Sequence, residues 1–220
     1  MNIALFGGTF DPIHLGHLEA ARQAARRFKL DRVLFVPSGL PPHKPRRNLT
    51  PFEHRFAMVS LACAAEPRFV PSLVEAPDRG VRYSVDTARQ ARRELGCDDR
   101  LFFLVGLDAF LDLPQWKQPA RLLDLADFVV VSRPGFRIEE ILSVIPRRTL
   151  AGRRPNLTNQ TITLRRSRLH LLNGINVPAA SHDIRRAVAE GRSVTGLIPP
   201  LVEEYMMKEE LYRTDRETQR

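Results

Sequence analysis

Four short runs built almost wholly from apolar residues, Ile3–Phe6, Val33–Val36, Leu101–Val105 and Phe128–Val131, are spread along the 220 residues of the chain. Apolar runs of this length, closed by glycine, proline or aspartate, suit strands buried on both faces. Helical spacing lies between them. Leu18, Ala21, Ala25 and Phe28 recur every three or four residues, residues 52–65 read as a helix capped by Thr50 with Pro51 in its first turn, and "YSVDTARQARREL" reads as another. Strands alternating with helices imply an α/β fold, a parallel sheet with helices on both faces, in a single domain. "RFVPSLVEA" adds a weaker strand and "LHLLNGINV" a sixth; "SHDIRRAVAEG" is a helix begun at Ser181, and "PPLVEEYMMKEELY" a closing helix. Residues 37–51 are a proline-rich loop. Residues 146–167, rich in Arg, Thr and Pro and without periodicity, read as a surface excursion. The domain spans 1–212, and the polar residues 213–220 read as a frayed tail.

The formal net charge is +9, and most of it lies in one place. Residues 133–192 contain twelve arginines, no lysine and four acids. Such a field draws polyanions: nucleic acid, an acidic membrane surface or a phosphorylated small molecule. Phe136 is the only aromatic residue in that stretch, so a base-stacking platform for nucleic acid is not apparent. No apolar run is long enough for a membrane-spanning helix and no secretory leader is evident; a cytoplasmic protein is the expectation. Cys63 and Cys97 form neither a metal-type nor a disulfide pattern, and each reads as a small buried hydrophobe.

The chemistry concentrates in "GGTFDPIHLGH", residues 7–17. Gly7 and Gly8 close the first strand, at the edge where parallel sheets bind ligands. Without Cβ atoms they let a ligand approach the backbone, and the helix that follows offers free N–H groups to an anion. His14 and His17, three residues apart, face the same way and can donate to phosphoryl oxygens as charge builds on them. A metal site would need a third ligand that the spacing does not supply, and a purely structural turn stays open as the other alternative. GxGxxG and GxxxxGK[ST] are both absent, so the phosphate site is of another kind.

These residues resemble the HxGH signature of the nucleotidyltransferase superfamily, and the chain is similar to bacterial nicotinate-nucleotide adenylyltransferases. "PPHK" (41–44), "YSVDT" (83–87), "VGLDAFLDLPQWK" (105–117), "SRPG" (132–135) and "SHDIR" (181–185) follow in the family's order. The resemblance implies a Rossmann-like nucleotidyltransferase fold and transfer of AMP from ATP to nicotinate mononucleotide, with release of pyrophosphate. It places Gly7, Gly8, Thr9, Phe10, His14, His17, Asp108, Ser181 and Arg185 around ATP, with His14 and His17 catalytic and Asp108 on the ribose. Lys44, Thr87, Trp116 and Arg133 fall on the mononucleotide side, Trp116 stacking on the pyridine ring. Mg²⁺ enters with ATP and no residue is assigned to hold it; Asp11 is near but is not taken as a ligand.

One motif departs from the family. Where Ile-Ser-Ser-Thr, a variable residue and Ile-Arg are usual, this chain has Ala179-Ala180-Ser181-His182-Asp183-Ile184-Arg185. Ser181 is expected to cap the helix there, and His182, in place of threonine, either donates to phosphate or points to solvent. Nicotinamide mononucleotide and phosphopantetheine are the rival acceptors, and a weakly active paralogue that binds nucleic acid is the rival of another class. Thr87 and "LPQWK" speak against phosphopantetheine. No membrane or nucleic-acid partner is expected, and assembly into a homo-oligomer is left open.

Overall fold

Burial of the central strands on both faces decides the architecture. In the computed structural model, which describes residues 1–39, 49–80, 82–132, 138–152, 157–158, 160–175 and 177–213, eight strands form one sheet. They are β1 (Asn2–Gly8), β2 (Arg32–Pro37), β3 (Phe69–Pro71), β4 (Arg100–Gly106), β5 (Asp127–Val131), β6 (Leu157–Thr158), β7 (Thr161–Thr163) and β8 (Arg168–Leu172). Their order is β3-β2-β1-β4-β5-β8-β7-β6. The first six in that order run parallel, with Phe6 opposite both Phe35 and Leu104.

Successive strand residues enter different cores, as a period of two demands. Ala4, Phe6, Phe102 and Leu104 face one side. There they meet α1 (Leu15–Phe28), α2 (Phe52–Cys63), α7 (Ser181–Ala189) and α8 (Pro200–Lys208). Leu5, Leu101, Phe103 and Val105 face the other side. They meet α3 (Ser84–Glu94), α4 (Leu107–Leu111), α5 (Pro119–Leu125) and α6 (Ile138–Val144). The chain leaves β1 toward one layer and β4 toward the other. The crevice between their carboxyl ends is therefore the switch point where open α/β sheets bind ligands.

Several expectations need correction. The described residues of 146–167 are not a surface excursion: β7 pairs antiparallel with β8 and β6 antiparallel with β7, which extends the sheet, and Thr149, Ile162 and Leu164 are buried. The sheet is thus mostly, not wholly, parallel. Alternation over three polar-flanked residues was too short to read as a strand. Thr50 does not cap α2; Pro51 occupies that position, and the Thr50 carbonyl accepts from Arg55. The helices α4 to α6 lack a long apolar stripe and were not anticipated. Cys63 is buried, which pushes its thiol up to about 12, whereas Cys97 is exposed. No helix among the described residues is long and apolar enough to cross a membrane.

His170 in β8 gives this fold an acid-sensitive point. Its side chain is buried, with Nδ1 paired to the Thr161 hydroxyl at 3.0 Å and Nε2 without a hydrogen-bond partner among the described residues. Burial pushes its pKa down to about 4. An unfolded histidine titrates near ~6.5, so below that the unfolded chain binds a proton that the folded chain refuses. Stability is complete above about pH 6.5 and is lost as pH falls toward about 4. His17 is depressed too, so His170→Leu is expected to flatten part of the acid limb in urea midpoints measured against pH. An unchanged limb would show that His170 is not responsible for it.

Candidate active site

Phe10 determines how the loop after β1 is laid down. It adopts φ 49°, is buried, and turns its ring back under Gly8. A Cβ on Gly8 would come within 2.9 Å of that ring, so the missing Cβ of Gly8 makes room for Phe10. Gly7 would meet nothing closer than Phe103 at 3.8 Å. The Phe10 ring then stands edge-on to Phe6 at 5.5 Å and to His17 at 5.1 Å, forming the floor beneath the second histidine.

Three distant side chains hold the backbone of this loop, and a fourth holds the Asp11 carboxylate. Arg55 donates to the Thr9 carbonyl at 2.8 Å and, through Nε, to that of Thr50 at 2.8 Å. Arg185 donates to the Asp11 carbonyl at 2.5 Å, and the Ser181 hydroxyl to that of Pro12 at 3.0 Å. The Tyr212 hydroxyl donates to Asp11 Oδ1 at 2.6 Å, while Thr50 N–H reaches Oδ2 at 3.4 Å. Asp11–Pro12 is a cis peptide bond. Ser181 is thus the first residue of α7 and not its cap, a position taken by Ala180. Its hydroxyl is drawn to a carbonyl of the opening loop, and that geometry explains the correction.

His14 caps α1, and its ring lies over that of His17, centroids 3.7 Å apart and planes inclined by 26°. Gly16 permits this, because a Cβ there would stand 3.0 Å from the His14 ring. The backbone N–H of His14 donates to His17 Nδ1 at 3.3 Å. That bond selects the tautomer with the proton on Nε2. Burial, and then the charge of His14, holds the His17 pKa well below its usual value. Near neutral pH His17 is therefore an uncharged imidazole whose Nε2–H is a fixed donor.

The switch point brings other expected residues into one region. Asp108 is exposed on the first turn of α4, directly after β4. Trp116 is half-buried behind a short 3₁₀ turn, edge-on to Phe103 at 6.1 Å, and Phe103 is the ring beneath Gly7. Lys117 Nζ lies 4.2 Å from the Tyr83 ring centroid and 3.2 Å from Asp86, which pins the Trp116 segment to α3. Thr87 is buried, and its hydroxyl donates its proton to Glu75 Oε1 at 2.7 Å. Burial raises the Glu75 pKa. His182 is exposed. Lys44 and Arg133 lie outside the described residues, as do most of "PPHK" and "SRPG". A cleft of about 430 Å³ lined by Arg92, Arg100, Arg166 and Arg168 opens at the opposite ends of the strands, away from the histidines.

Arg55, Asp11 and Tyr212 escaped the sequence reading as parts of this site. Arg55 carried a signal: it falls on the buried face of α2 with Phe52, Met58, Val59 and Ala62. A charged residue on such a face is paired in nearly every case. Tyr212 carried none, since its partner is 201 residues away. Both carboxylate oxygens of Asp11 accept hydrogen bonds, from Tyr212 and from the Thr50 N–H. No cluster of three His, Cys, Asp or Glu suited to a metal exists among the described residues.

The chain has close relatives. The cytidylyltransferase-like family model matches residues 5–187. A Thermus thermophilus protein named "Probable nicotinate-nucleotide adenylyltransferase" is 44% identical over 214 residues, covering 97% of this chain and 100% of its own. A protein of the same name from Thermoanaerobacter sp. is 38% identical over 223 residues, covering 99% and 97%. Among solved structures, the nicotinic acid mononucleotide adenylyltransferase of Plasmodium falciparum complexed with NaAD matches with a TM-score of 0.71 at 21% identity, covering 96% and 97%. At that identity the likeness is one of fold. By sequence over its whole length and by fold, the chain belongs to the cytidylyltransferase-like family and, within it, to the nicotinate-nucleotide adenylyltransferases.

Proposed function

We propose that this chain transfers the AMP moiety of ATP to nicotinate mononucleotide, giving nicotinate adenine dinucleotide and pyrophosphate. The relatives' shared name supports the reaction, and one observation carries the site: His17, neutral and locked as an Nε2–H donor, at the switch point of the sheet. An oxygen of the mononucleotide 5′-phosphate attacks the α-phosphorus of ATP. The P–O bond to the β-phosphate breaks in line, and its electron pair leaves with pyrophosphate. The nucleophile is already an anion, so no general base is required and catalysis reduces to positioning and charge stabilisation. The Nε2–H of His17 meets the charge that builds on the phosphoryl oxygens, and His14 holds that imidazole in register.

Asp108 accepts from the ATP ribose in this reading, and Trp116 stacks on the pyridine ring. The backbone around Gly7, Gly8, Thr9 and Phe10, with Arg185, surrounds the phosphates. Lys44 and Arg133 complete the mononucleotide side. Mg²⁺ would enter with ATP and supply charge neutralisation on the phosphates, and no residue of this chain is assigned to hold it. The test is pyrophosphate release from ATP and Mg²⁺, with nicotinate mononucleotide, its amide analogue and phosphopantetheine supplied separately. Turnover that is fastest with the acid supports the reading. Preference for another acceptor, or no turnover at all, overturns it.

A further inference from the structure

The chain ends its last helix in an unusual conformation. After α8, Glu210 and Tyr212 both adopt left-handed backbone angles, φ 51° and 64°, and neither is glycine. Two such residues within three positions persist only where the surroundings impose them. The Leu211 N–H closes the turn on the Met206 carbonyl at 2.9 Å, and the turn delivers the Tyr212 hydroxyl to Asp11 Oδ1 at 2.6 Å. Burial, reinforced by the charge of Asp11, keeps that phenol protonated, so it is the donor.

Asp11 is 4% exposed, and it is more than a packing residue. Its carbonyl accepts from Arg185, its Oδ2 accepts from Thr50 N–H, and its neighbours in sequence are Phe10, which floors His17, and Pro12, which Ser181 holds. Three residues further on, the His14 N–H selects the His17 tautomer. We propose that Tyr212 is a positioning residue for the reaction: its hydrogen bond to Asp11 completes the loop geometry that aims the His17 Nε2–H. The proposal rests on the reading of His17 given above. The terminal turn thus belongs to the site although it contacts no reacting atom.

The test uses the full chain carrying Tyr212→Phe, which removes one oxygen and retains the ring. Three quantities are measured: kcat and KM with ATP and nicotinate mononucleotide, the melting temperature, and the imidazole ¹⁵N shifts of His17. The expected result is a roughly tenfold fall in kcat, from an orphaned buried acceptor and a loosened loop. KM for the mononucleotide stays within about twofold, and the ¹⁵N shifts move toward the mixture of tautomers of a free imidazole. A second variant, Tyr212→Phe with Asp11→Asn, is expected to lose little beyond Asp11→Asn alone, because the two groups act as one unit. A lowered melting temperature with unchanged kcat and unchanged ¹⁵N shifts would reduce Tyr212 to a structural clamp and overturn the proposal, as would additive losses in the double variant. The ¹⁵N shifts report on the loop even when no acceptor is turned over, so failure of the proposed reaction is distinguishable from failure of this inference.

Discussion

Replacing His17 with alanine is expected to lower kcat by about 10²–10³-fold, the range seen when one preorganised donor to a developing oxyanion is lost. The reason lies in how the ring is held. Its Nδ1 accepts from the His14 backbone, its face stacks on the His14 ring, and its edge meets Phe10, so Nε2–H is presented without reorganisation. Because burial keeps the free imidazole neutral, the contribution comes from a dipole and not from a full positive charge. His17 should therefore add no step to the kcat/KM profile in the ordinary histidine range near ~6.5. Fold loss is expected as well, since ring contacts with Phe6, Phe10 and His14 of about 0.5–1.5 kcal/mol each are removed, and the melt separates it from the kinetic effect. Steady-state kinetics beside a thermal melt make the check. A fall of less than about tenfold would show that the reaction does not depend on this donor.

The second large effect is on stability, at Arg55. Its side chain is 1% exposed, placed among apolar residues of α2, and it carries two carbonyls of the active-site segments, those of Thr9 and Thr50. Burial lowers its pKa, and nearby Asp11 opposes that shift. Arg55→Met retains much of the volume while leaving both carbonyls and the Asp11 carboxylate without their cation. The expected loss is about 3–5 kcal/mol, the range for breaking a buried ionic arrangement from one side. In a chain of this length each kcal/mol corresponds to roughly 2–4 °C in melting temperature. Activity falls further than stability alone predicts, because the loop that Arg55 holds is the one carrying His14. A urea midpoint within error of the native value would contradict this account of the residue.

The two effects differ in how visible they are in the sequence. His14 and His17 lie within four residues, where helical geometry decides which groups meet, and so their facing the same way was readable. The same holds for β1, β2, β4 and β5, whose apolar runs are long enough to show burial on both faces. Arg55 meets Thr9 across 46 residues and Tyr212 meets Asp11 across 201, and no local pattern encodes a pairing at such range. The hairpin of β6 and β7 failed for the opposite reason: three residues with one apolar member, Ile162, are too few for a period to emerge. Ser181 misled because a serine at a helix start is usually a cap, whereas here the tertiary partner, the Pro12 carbonyl, takes its hydroxyl.

The loop at the carboxyl end of β1 is made on the ribosome well before the side chains that secure it. Ser181, Arg185 and Tyr212 reach it from 169, 174 and 201 residues downstream. A nascent chain has its histidines in hand long before it can aim them. Contacts of such sequence separation form late, after the sheet they depend on. A chain cut short before Tyr212 has both histidines but not the complete set of bonds that holds the loop before them.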